Sequence, residues 1–234
     1  KKILISGGHG EFAKELQKHN TKYEIISPSR KSMDVKNFDD IDYQVRTYRP
    51  DYFIHAGALT RPMVIHETEP DKSIINNIIG TSNVTLSCMR WNIKLIYLST
   101  DYVYPGTNGN YGEEDSLKPF TNYGWSKLGG ECSVRLHNDY LILRMAMNKK
   151  PFPHPKALVD MKKSLMYIDD AAKVSLQLLD ETGTINVGGK SQSVYNFVKE
   201  TNPDVGKIYL KDINDVNMAK DCSMNTKKME KILK

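Results

Sequence analysis

The sequence contains few cysteines and no long apolar run. The three cysteines, Cys88, Cys132 and Cys222, lie far apart in a chain of 234 residues. An odd and scattered set excludes a disulfide framework and zinc-ligand spacing, so we predict no metal site and a reducing, cytoplasmic location. Because the apolar runs are short, we expect neither a membrane-spanning helix nor a signal peptide.

Clustered charge of one sign is also missing. The formal net charge is +5, and the lysines are spread along the chain without a basic stripe that alternates with aromatic residues. This distribution argues against nucleic acid as a partner and is compatible with a small anionic ligand. The chain is long enough to bury roughly 70% of its unfolded surface, so it needs no covalent crosslinks.

Short apolar segments alternate with helical patterns through the first part of the chain. The strands are expected at residues 2–6, 23–26, 51–55, 94–98 and 140–144. This alternation predicts an α/β fold with a Rossmann-type, doubly wound parallel sheet. We expect this domain at residues 1–146 and a small, shortened substrate-binding part at 147–234, in which 164–190 packs back on the sheet.

The turn after the first strand is rich in glycine. Its sequence, Gly7-Gly8-His9-Gly10-Glu11-Phe12-Ala13, has the spacing G-x-x-G-x-x-A and opens a helix. Small residues let the backbone approach a pyrophosphate, which the helix N-terminus attracts. We therefore expect Gly7, Gly10, Glu11 and Phe12 to bind a dinucleotide, which makes residues 1–146 an NAD(P)-binding domain.

The segments after the second and third strands favour one form of that cofactor. Ser29, Arg30 and Lys31 lie where an NAD-preferring site usually has an acid. Hydroxyl groups and cations suit a 2′-phosphate instead, so we predict NADPH (NADP) in preference to NAD. Asp34 is expected near the adenine amino group. The small run Ala56-Gly57-Ala58 allows the cofactor ribose to pass close to the backbone.

Three further residues form a set suited to proton transfer. Tyr123 and Lys127 are four residues apart and share one face of a predicted helix. A lysine ammonium beside a tyrosine should move the phenol pKa down from about 10 toward the working range. Thr100, at the end of the fourth strand, could hold a substrate carbonyl while Tyr123 exchanges its proton. The set predicts hydride transfer at a C–O bond, which needs a nicotinamide cofactor.

Motifs along the chain resemble those of extended short-chain dehydrogenases/reductases, in particular the dTDP-4-dehydrorhamnose reductase family. They are Gly7-x-x-Gly10-x-x-Ala13, Ser99-Thr100-Asp101-Tyr102-Val103-Tyr104 and Tyr123-Gly124-x-Ser126-Lys127-x-Gly129-Gly130-Glu131. The resemblance implies that Thr100, Tyr123 and Lys127 are the catalytic triad and that Asp101 and Tyr102 contact the substrate. It also implies that Tyr123 and Lys127 contact the nicotinamide cofactor. It also implies an NADPH-dependent oxidoreductase of deoxysugar biosynthesis that reduces the 4-keto group of a nucleotide-linked 6-deoxy sugar, and it allows a homodimer.

The chain departs from this family on the substrate side. Relatives are longer by several tens of residues after the fifth strand, where only 151–163 bridges the gap here. Arg61 and Arg144 are candidates to bind the substrate diphosphate.

Two other functions stay open. One is a nucleotide-sugar epimerase, although Ser29-Arg30-Lys31 argues against tightly held NAD. The other is a non-catalytic NADP-binding partner protein, similar to the regulatory subunit of methionine adenosyltransferase. A dehydratase is disfavoured because Thr100 is followed by Asp101-Tyr102 instead of Asp-Glu.

Overall fold

The central element is a six-stranded parallel sheet. A computed structural model describes residues 1–214 and 217–234. The strands are β1 (Lys2–Ser6), β2 (Glu24–Ile26), β3 (Tyr52–His55), β4 (Lys94–Thr100), β5 (Tyr140–Met145), β6 (Met147–Asn148), β7 (Lys156–Leu158), β8 (Lys162–Lys163), β9 (Met166–Tyr167), β10 (Gly183–Val187), β11 (Gln192–Ser193) and β12 (Gly206–Ile208). The strand order in the central sheet is β10-β5-β4-β3-β1-β2. The predicted Rossmann-type α/β fold is confirmed.

Helices cover both faces of this sheet. They are α1 (Glu11–His19), α2 (Phe38–Tyr48), α3 (Ile65–Thr68), α4 (Pro70–Ser73), α5 (Gly80–Trp91), α6 (Asn122–Val134), α7 (Ile168–Gln177), α8 (Val194–Lys199) and α9 (Lys227–Ile232). One apolar cluster joins the sheet to α1 and α7, and another joins it to α2 and α5. Burial of these two faces stabilises the sheet at roughly 25 cal/mol per Å² of apolar surface. No helix in the described ranges is both long enough and apolar enough to span a membrane.

The helical segment from Pro70 to Trp91 contains a π-helical turn. This turn, Ile74–Ile79, joins α4 to α5. It directs Asn77 into the protein, where the amide accepts from Leu59 N at 2.8 Å and donates to Ser126 Oγ at 2.9 Å. Turns of this kind are frequent at functional sites. Here the turn links the loop after β3 to helix α6.

The part of the chain after β5 is built from short elements. The two-residue strand β9 pairs with β6 outside the main sheet. Gly183–Val187 forms β10, which pairs in parallel with β5 and extends the sheet. A third apolar cluster, which includes Val194, Phe197 and Met161, lies in this region. The division into domains at residues 146 and 147 stays a prediction.

Candidate active site

A cavity of about 420 Å³ lies at the carboxyl ends of β1 and β3. Its floor is the glycine-rich turn, in which Gly10 N donates to Gly7 O at 2.8 Å. Gly7 has a φ of +70°, and a Cβ there would lie 2.9 Å from Gly57 N. Both observations require glycine, because a side chain would be strained and would collide with the β3 loop. The turn therefore brings the N-terminus of α1 directly against the cavity.

Most of the predicted cofactor residues meet in this cavity. Its lining includes Gly7, Gly10, Glu11, Phe12, Arg30, Asp34, Ala56, Gly57 and Ala58. Ser29 and Lys31 are not in the lining, and Ser29 Oγ lies 3.0 Å from Ser32 Oγ. Arg30 is largely exposed, and its Nε lies 3.8 Å from Asp34 Oδ2. An exposed ion pair of this kind is weak, so the guanidinium is available to an anionic ligand.

Helix α6 brings the predicted catalytic residues to the end of β4. Thr121 caps the helix by accepting from Gly124 N at 3.0 Å. A Cβ at Gly124 would collide with the backbone carbonyl of Tyr102, so only glycine permits this close approach. The Tyr123 ring consequently lies 6.0 Å from that of Tyr102, centre to centre. Tyr123 and Lys127 are not among the residues that line the first cavity.

Burial strongly shifts the pKa values of Tyr123 and Lys127. The pKa of Tyr123 is raised to about 12, first by burial and then by the Asp101 carboxylate, while a hydrogen bond with Thr100 opposes the rise. Burial lowers the pKa of Lys127 to about 7, although Glu131 opposes that shift. The expected lowering of the Tyr123 pKa is therefore not found, because desolvation disfavours the phenolate more strongly than its neighbours favour it. At neutral pH Tyr123 holds its proton.

A second cavity, of about 450 Å³, lies between the end of β4 and the part of the chain after β5. Arg61, Lys156 and Lys163 give its lining a positive character, and Tyr102 and Phe152 add aromatic surface. Thr60 lines the first cavity and the next residue, Arg61, lines the second, so the two cavities are neighbours.

The structure also identifies residues that the sequence analysis missed. Lys163 Nζ lies 2.9 Å from Asp101 Oδ2 and 4.2 Å from the centre of the Tyr102 ring. His66 packs with its ring centre 5.0 Å from that of Tyr123 and bonds Ser73 Oγ through Nδ1 at 2.7 Å. The sequence treats 151–163 only as a bridge, and nothing in its spacing indicates that a lysine there reaches β4.

Arg144, predicted to bind substrate, does not line either cavity. Its side chain is fully buried and pairs with Glu131, with Nη2 2.8 Å from Oε2. Its Nε donates to Glu131 Oε1 at 3.0 Å, and Nη1 donates to the Tyr104 hydroxyl at 2.8 Å and to Glu113 O at 3.0 Å. The prediction of a substrate contact is wrong in this structure, because every nitrogen of the guanidinium already has an internal partner.

A group of three potential metal ligands lies away from both cavities. Ligand atoms of Glu15, His19 and Asp169 lie within 4.8 Å of one another, between α1 and α7. Asp169 also pairs with Lys173 at 2.7 Å and with Lys18 at 3.6 Å. These ammonium groups supply the positive charge that a bound cation would bring, so this group is an ion-pair network at a helix interface.

Two curated relatives match part of this chain. The spore coat polysaccharide biosynthesis protein SpsK of Bacillus subtilis is 33% identical over 138 residues, which are 58% of this chain and 48% of that protein. Methionine adenosyltransferase 2 subunit beta of Rattus norvegicus is 29% identical over 147 residues, 59% of this chain and 44% of that protein. The chain spans about half the length of the curated relatives it matches.

The fold matches a solved structure over nearly the whole chain. The dTDP-4-dehydrorhamnose reductase of Bacillus anthracis, crystallised in complex with NADP, has a TM-score of 0.90 at 25% identity. The match covers 98% of this chain and 92% of that one. The family described as RmlD substrate binding domain matches residues 1–148, which is more than half of the chain. The resemblance inferred from the motifs is confirmed, and the chain belongs to the RmlD substrate-binding-domain family.

Proposed function

We propose that the protein is an NADPH-dependent reductase of the 4-keto group of a nucleotide-linked 6-deoxy sugar. The observation that supports this most directly is the position of Thr100, Tyr123 and Lys127. Thr100 ends β4, Tyr123 and Lys127 lie on α6, and Tyr102, whose ring centre is 6.0 Å from that of Tyr123, lines the second cavity. One cavity has a glycine-rich turn, and the other is lined by cations. Reduction needs a dinucleotide and an anionic substrate to meet at a proton donor, and this arrangement provides a site for each.

The first cavity fits a dinucleotide phosphate. Its wall at Gly7 has no room for a Cβ, and the N-terminus of α1 faces it. Amide groups at a helix N-terminus favour an anion. Arg30 would bind the 2′-phosphate of NADPH, Asp34 would lie near the adenine, and the small run Ala56-Gly57-Ala58 would lie along a ribose. The Bacillus anthracis reductase crystallised as a complex with NADP, which supports the choice of cofactor.

The catalytic residues have distinct roles in the proposed step. Bound NADPH supplies the hydride that forms the new C–H bond at C4. Tyr123, which holds its proton at neutral pH, donates that proton to the carbonyl oxygen as this oxygen becomes an alkoxide. Thr100 bonds the same oxygen, and Lys127 stabilises the phenolate left on Tyr123 when the lysine is protonated. The product is a secondary alcohol, and Tyr123 regains a proton from solvent.

The second cavity suits the nucleotide sugar. Arg61, Lys156 and Lys163 place positive charge where a diphosphate would bind, and Phe152 offers a ring for stacking. Asp101 and Tyr102 would contact the sugar at the end of β4. The similarity of the fold to the dTDP-4-dehydrorhamnose reductase of Bacillus anthracis supports a dTDP-linked 4-keto-6-deoxy sugar as the substrate.

A non-catalytic role is the second candidate. The match to methionine adenosyltransferase 2 subunit beta favours an NADP-binding partner protein of the same fold. The set Thr100, Tyr123 and Lys127 argues for the enzyme, because a purely structural partner has no need of a proton donor.

We further propose that the protein forms a homodimer and is located in the cytoplasm. Exposed apolar side chains on the π-helical turn and on α5 and α6, namely Ile75, Ile79, Leu86 and Trp125, support a homodimer formed by these helices. The three cysteines are free, which supports a cytoplasmic protein. Sedimentation of the purified protein would decide between monomer and dimer.

Turnover with a substrate panel tests the proposed activity. NADPH oxidation is followed with dTDP-, UDP- and GDP-linked 4-keto-6-deoxyhexoses, for the wild type, Tyr123→Phe and the exposed control Tyr43→Phe. The proposal predicts turnover with one nucleotide, lost in Tyr123→Phe and kept in Tyr43→Phe. NADPH binding without turnover on any sugar would favour the partner protein.

A further inference from the structure

Lys163 places an ammonium group at the wall of the second cavity, beside the proposed reaction centre. Its Nζ lies 2.9 Å from Asp101 Oδ2 and 4.2 Å from the centre of the Tyr102 ring. Asp101 directly follows Thr100, and the Tyr102 ring centre lies 6.0 Å from that of Tyr123. Lys163 itself lines the second cavity, and 12% of its side chain is exposed. The Tyr102 ring is therefore a neighbour of both this ammonium and the proposed proton donor.

The backbone holds Lys163 at this position from two sides. Strand β8 pairs in antiparallel fashion with β11. On its other edge, Lys162 N donates to Lys220 O at 2.9 Å and Cys222 N donates to Lys162 O at 3.0 Å. The Lys163 side chain therefore starts from a fixed strand, and Asp101 holds its ammonium end. A donor that is already ordered loses little conformational entropy when a ligand binds to it.

The ammonium group of Lys163 has more donors than the described residues use. A lysine ammonium carries three N–H groups and accepts no hydrogen bond. Asp101 takes one of them, and the Tyr102 ring attracts the group electrostatically through its face. Residues 1–214 and 217–234 give Nζ no further hydrogen-bond acceptor. At least one N–H is therefore left for an acceptor in the second cavity.

The proposed substrate offers one hydroxyl group next to its reacting carbon. In a 4-keto-6-deoxyhexose, the carbonyl carbon C4 has two ring neighbours. C3 carries a hydroxyl group, whereas C5 carries the methyl group C6. When the C4 carbonyl lies at Thr100 and Tyr123, a donor beside that carbonyl meets the C3 hydroxyl as the adjacent polar group of the sugar. The ammonium of Lys163 is such a donor.

We propose that Lys163 is a specificity-determining residue that donates a hydrogen bond to the C3 hydroxyl group of the sugar. The proposal rests on the proposed function, in which the second cavity binds the nucleotide sugar. Asp101 offsets the charge of Lys163, so the pair offers a fixed N–H donor and leaves the diphosphate to Arg61 and Lys156 in the same lining. A sugar without the C3 hydroxyl leaves this donor unpaired, and a site built around a hydrogen bond rejects such an analogue strongly.

Binding without turnover tests the proposal. The protein is mixed with NADP⁺, which has no hydride to transfer, and titrated calorimetrically with dTDP, with a dTDP-linked 4-keto-6-deoxyhexose and with the 3-deoxy analogue of that sugar nucleotide. We expect the wild type to bind the hydroxylated sugar about tenfold or more tightly than the analogue. Lys163→Met should abolish this preference and keep the wild-type affinity for dTDP, because the residue contacts the sugar and not the diphosphate.

Two other lysines provide matched controls. Lys156→Met, in the lining of the same cavity, should weaken the binding of dTDP and of both sugars alike, since the diphosphate is common to all three. Lys162→Met, the exposed neighbour on β8, should change none of the affinities. Equal affinity of the wild type for the two sugars, a preference that survives in Lys163→Met, or a loss of dTDP affinity in that variant overturns the proposal.

A second variant and a turnover assay complete the test. If Lys163→Met does not fold, Lys163→Gln replaces it, and its preference for the hydroxylated sugar should fall because the charge-assisted bond is lost; a preference equal to that of the wild type contradicts the proposal. With NADPH, the ratio of kcat/KM for the two sugars should fall in the same variants. The expected binding preference without turnover would speak against the reductase and support the contact of Lys163 with the sugar. A wild type that binds neither dTDP nor either sugar would contradict both.

Discussion

Arg144 and Glu131 form a bidentate ion pair in which both side chains are fully buried. Nε lies 3.0 Å from Oε1 and Nη2 lies 2.8 Å from Oε2. Glu131 also accepts from Ser99 Oγ at 2.6 Å. The pair joins β5 to α6 one helical turn after Lys127, so it stabilises the helix that presents the proposed catalytic residues.

Removal of one partner of this pair should destabilise the fold. Arg144→Met leaves the Glu131 carboxylate buried without its cation, which typically costs about 3–5 kcal/mol. Urea unfolding of the wild type and the variant measures the free energy of unfolding directly. A variant of unchanged stability that shows only a higher KM for the substrate would return Arg144 to the binding role first predicted for it.

The buried Lys127 should make stability depend on pH. Its pKa in the folded state is about 7, against an ordinary value of 10.5. Between these values the unfolded chain binds one more proton, so stability rises with pH there, by up to about 1.4 kcal/mol per unit. Below about pH 7 both states are protonated and the cost of the buried charge is fully present.

Lys127→Met tests this dependence. We expect the wild type to gain stability relative to the variant from pH 7 to pH 9, with little relative change from pH 5 to pH 6.5. Urea unfolding at each pH gives the difference, and the exposed Lys14→Met serves as the control. Parallel curves for wild type and Lys127→Met across the whole range would contradict the assigned pKa.

Alanine substitutions at Gly7 and Gly183 form a matched pair that tests the role of the glycine-rich turn. Gly7 and Gly183 both have positive φ, +70° and +82°. A Cβ at Gly7 would meet Gly57, whereas no atom of the described residues lies within 4 Å of one at Gly183. Both changes to alanine should cost about 1–2 kcal/mol through backbone strain, and Gly7→Ala should cost more because its Cβ collides with Gly57. Only Gly7→Ala should also weaken NADPH binding, by tenfold or more, as measured by cofactor fluorescence. Equal affinity in both variants would exclude the turn as the phosphate site.

Substitution of Arg30 should affect the binding of NADPH but not that of NADH. If its guanidinium binds the 2′-phosphate, Arg30→Ala weakens NADPH binding by about 1.5–3 kcal/mol and leaves NADH binding unchanged. Arg46→Ala, an exposed arginine on α2, is the control. Calorimetric titration with each cofactor measures the difference. An equal loss for NADPH and NADH would show that Arg30 contacts a part common to both.

The sequence predicted the first 146 residues better than the rest. Strand periodicity, the turn at Gly7 and the i, i+4 pair of Tyr123 and Lys127 are local signals, and each appears where expected. The place of Lys163 could not be predicted, because it depends on pairing of β8 with β11 and with residues near Cys222. The raised pKa of Tyr123 could not be predicted for a similar reason. The spacing of Tyr123 and Lys127 shows that a charged side chain is near, but it does not show how deeply the phenol is buried. Arg144 was misassigned because Glu131, its partner, is thirteen residues away on another element.

Transfer of deuterium from a labelled cofactor tests the central claim most directly. NADPH that carries deuterium at its reactive C4 position is incubated with the protein and a dTDP-linked 4-keto-6-deoxyhexose, and the sugar is analysed by mass spectrometry and NMR. The account predicts one deuterium at C4 of the product sugar, and none with Tyr123→Phe. Unlabelled, unreduced sugar from protein that binds NADPH normally would contradict the reductase and leave the partner-protein role.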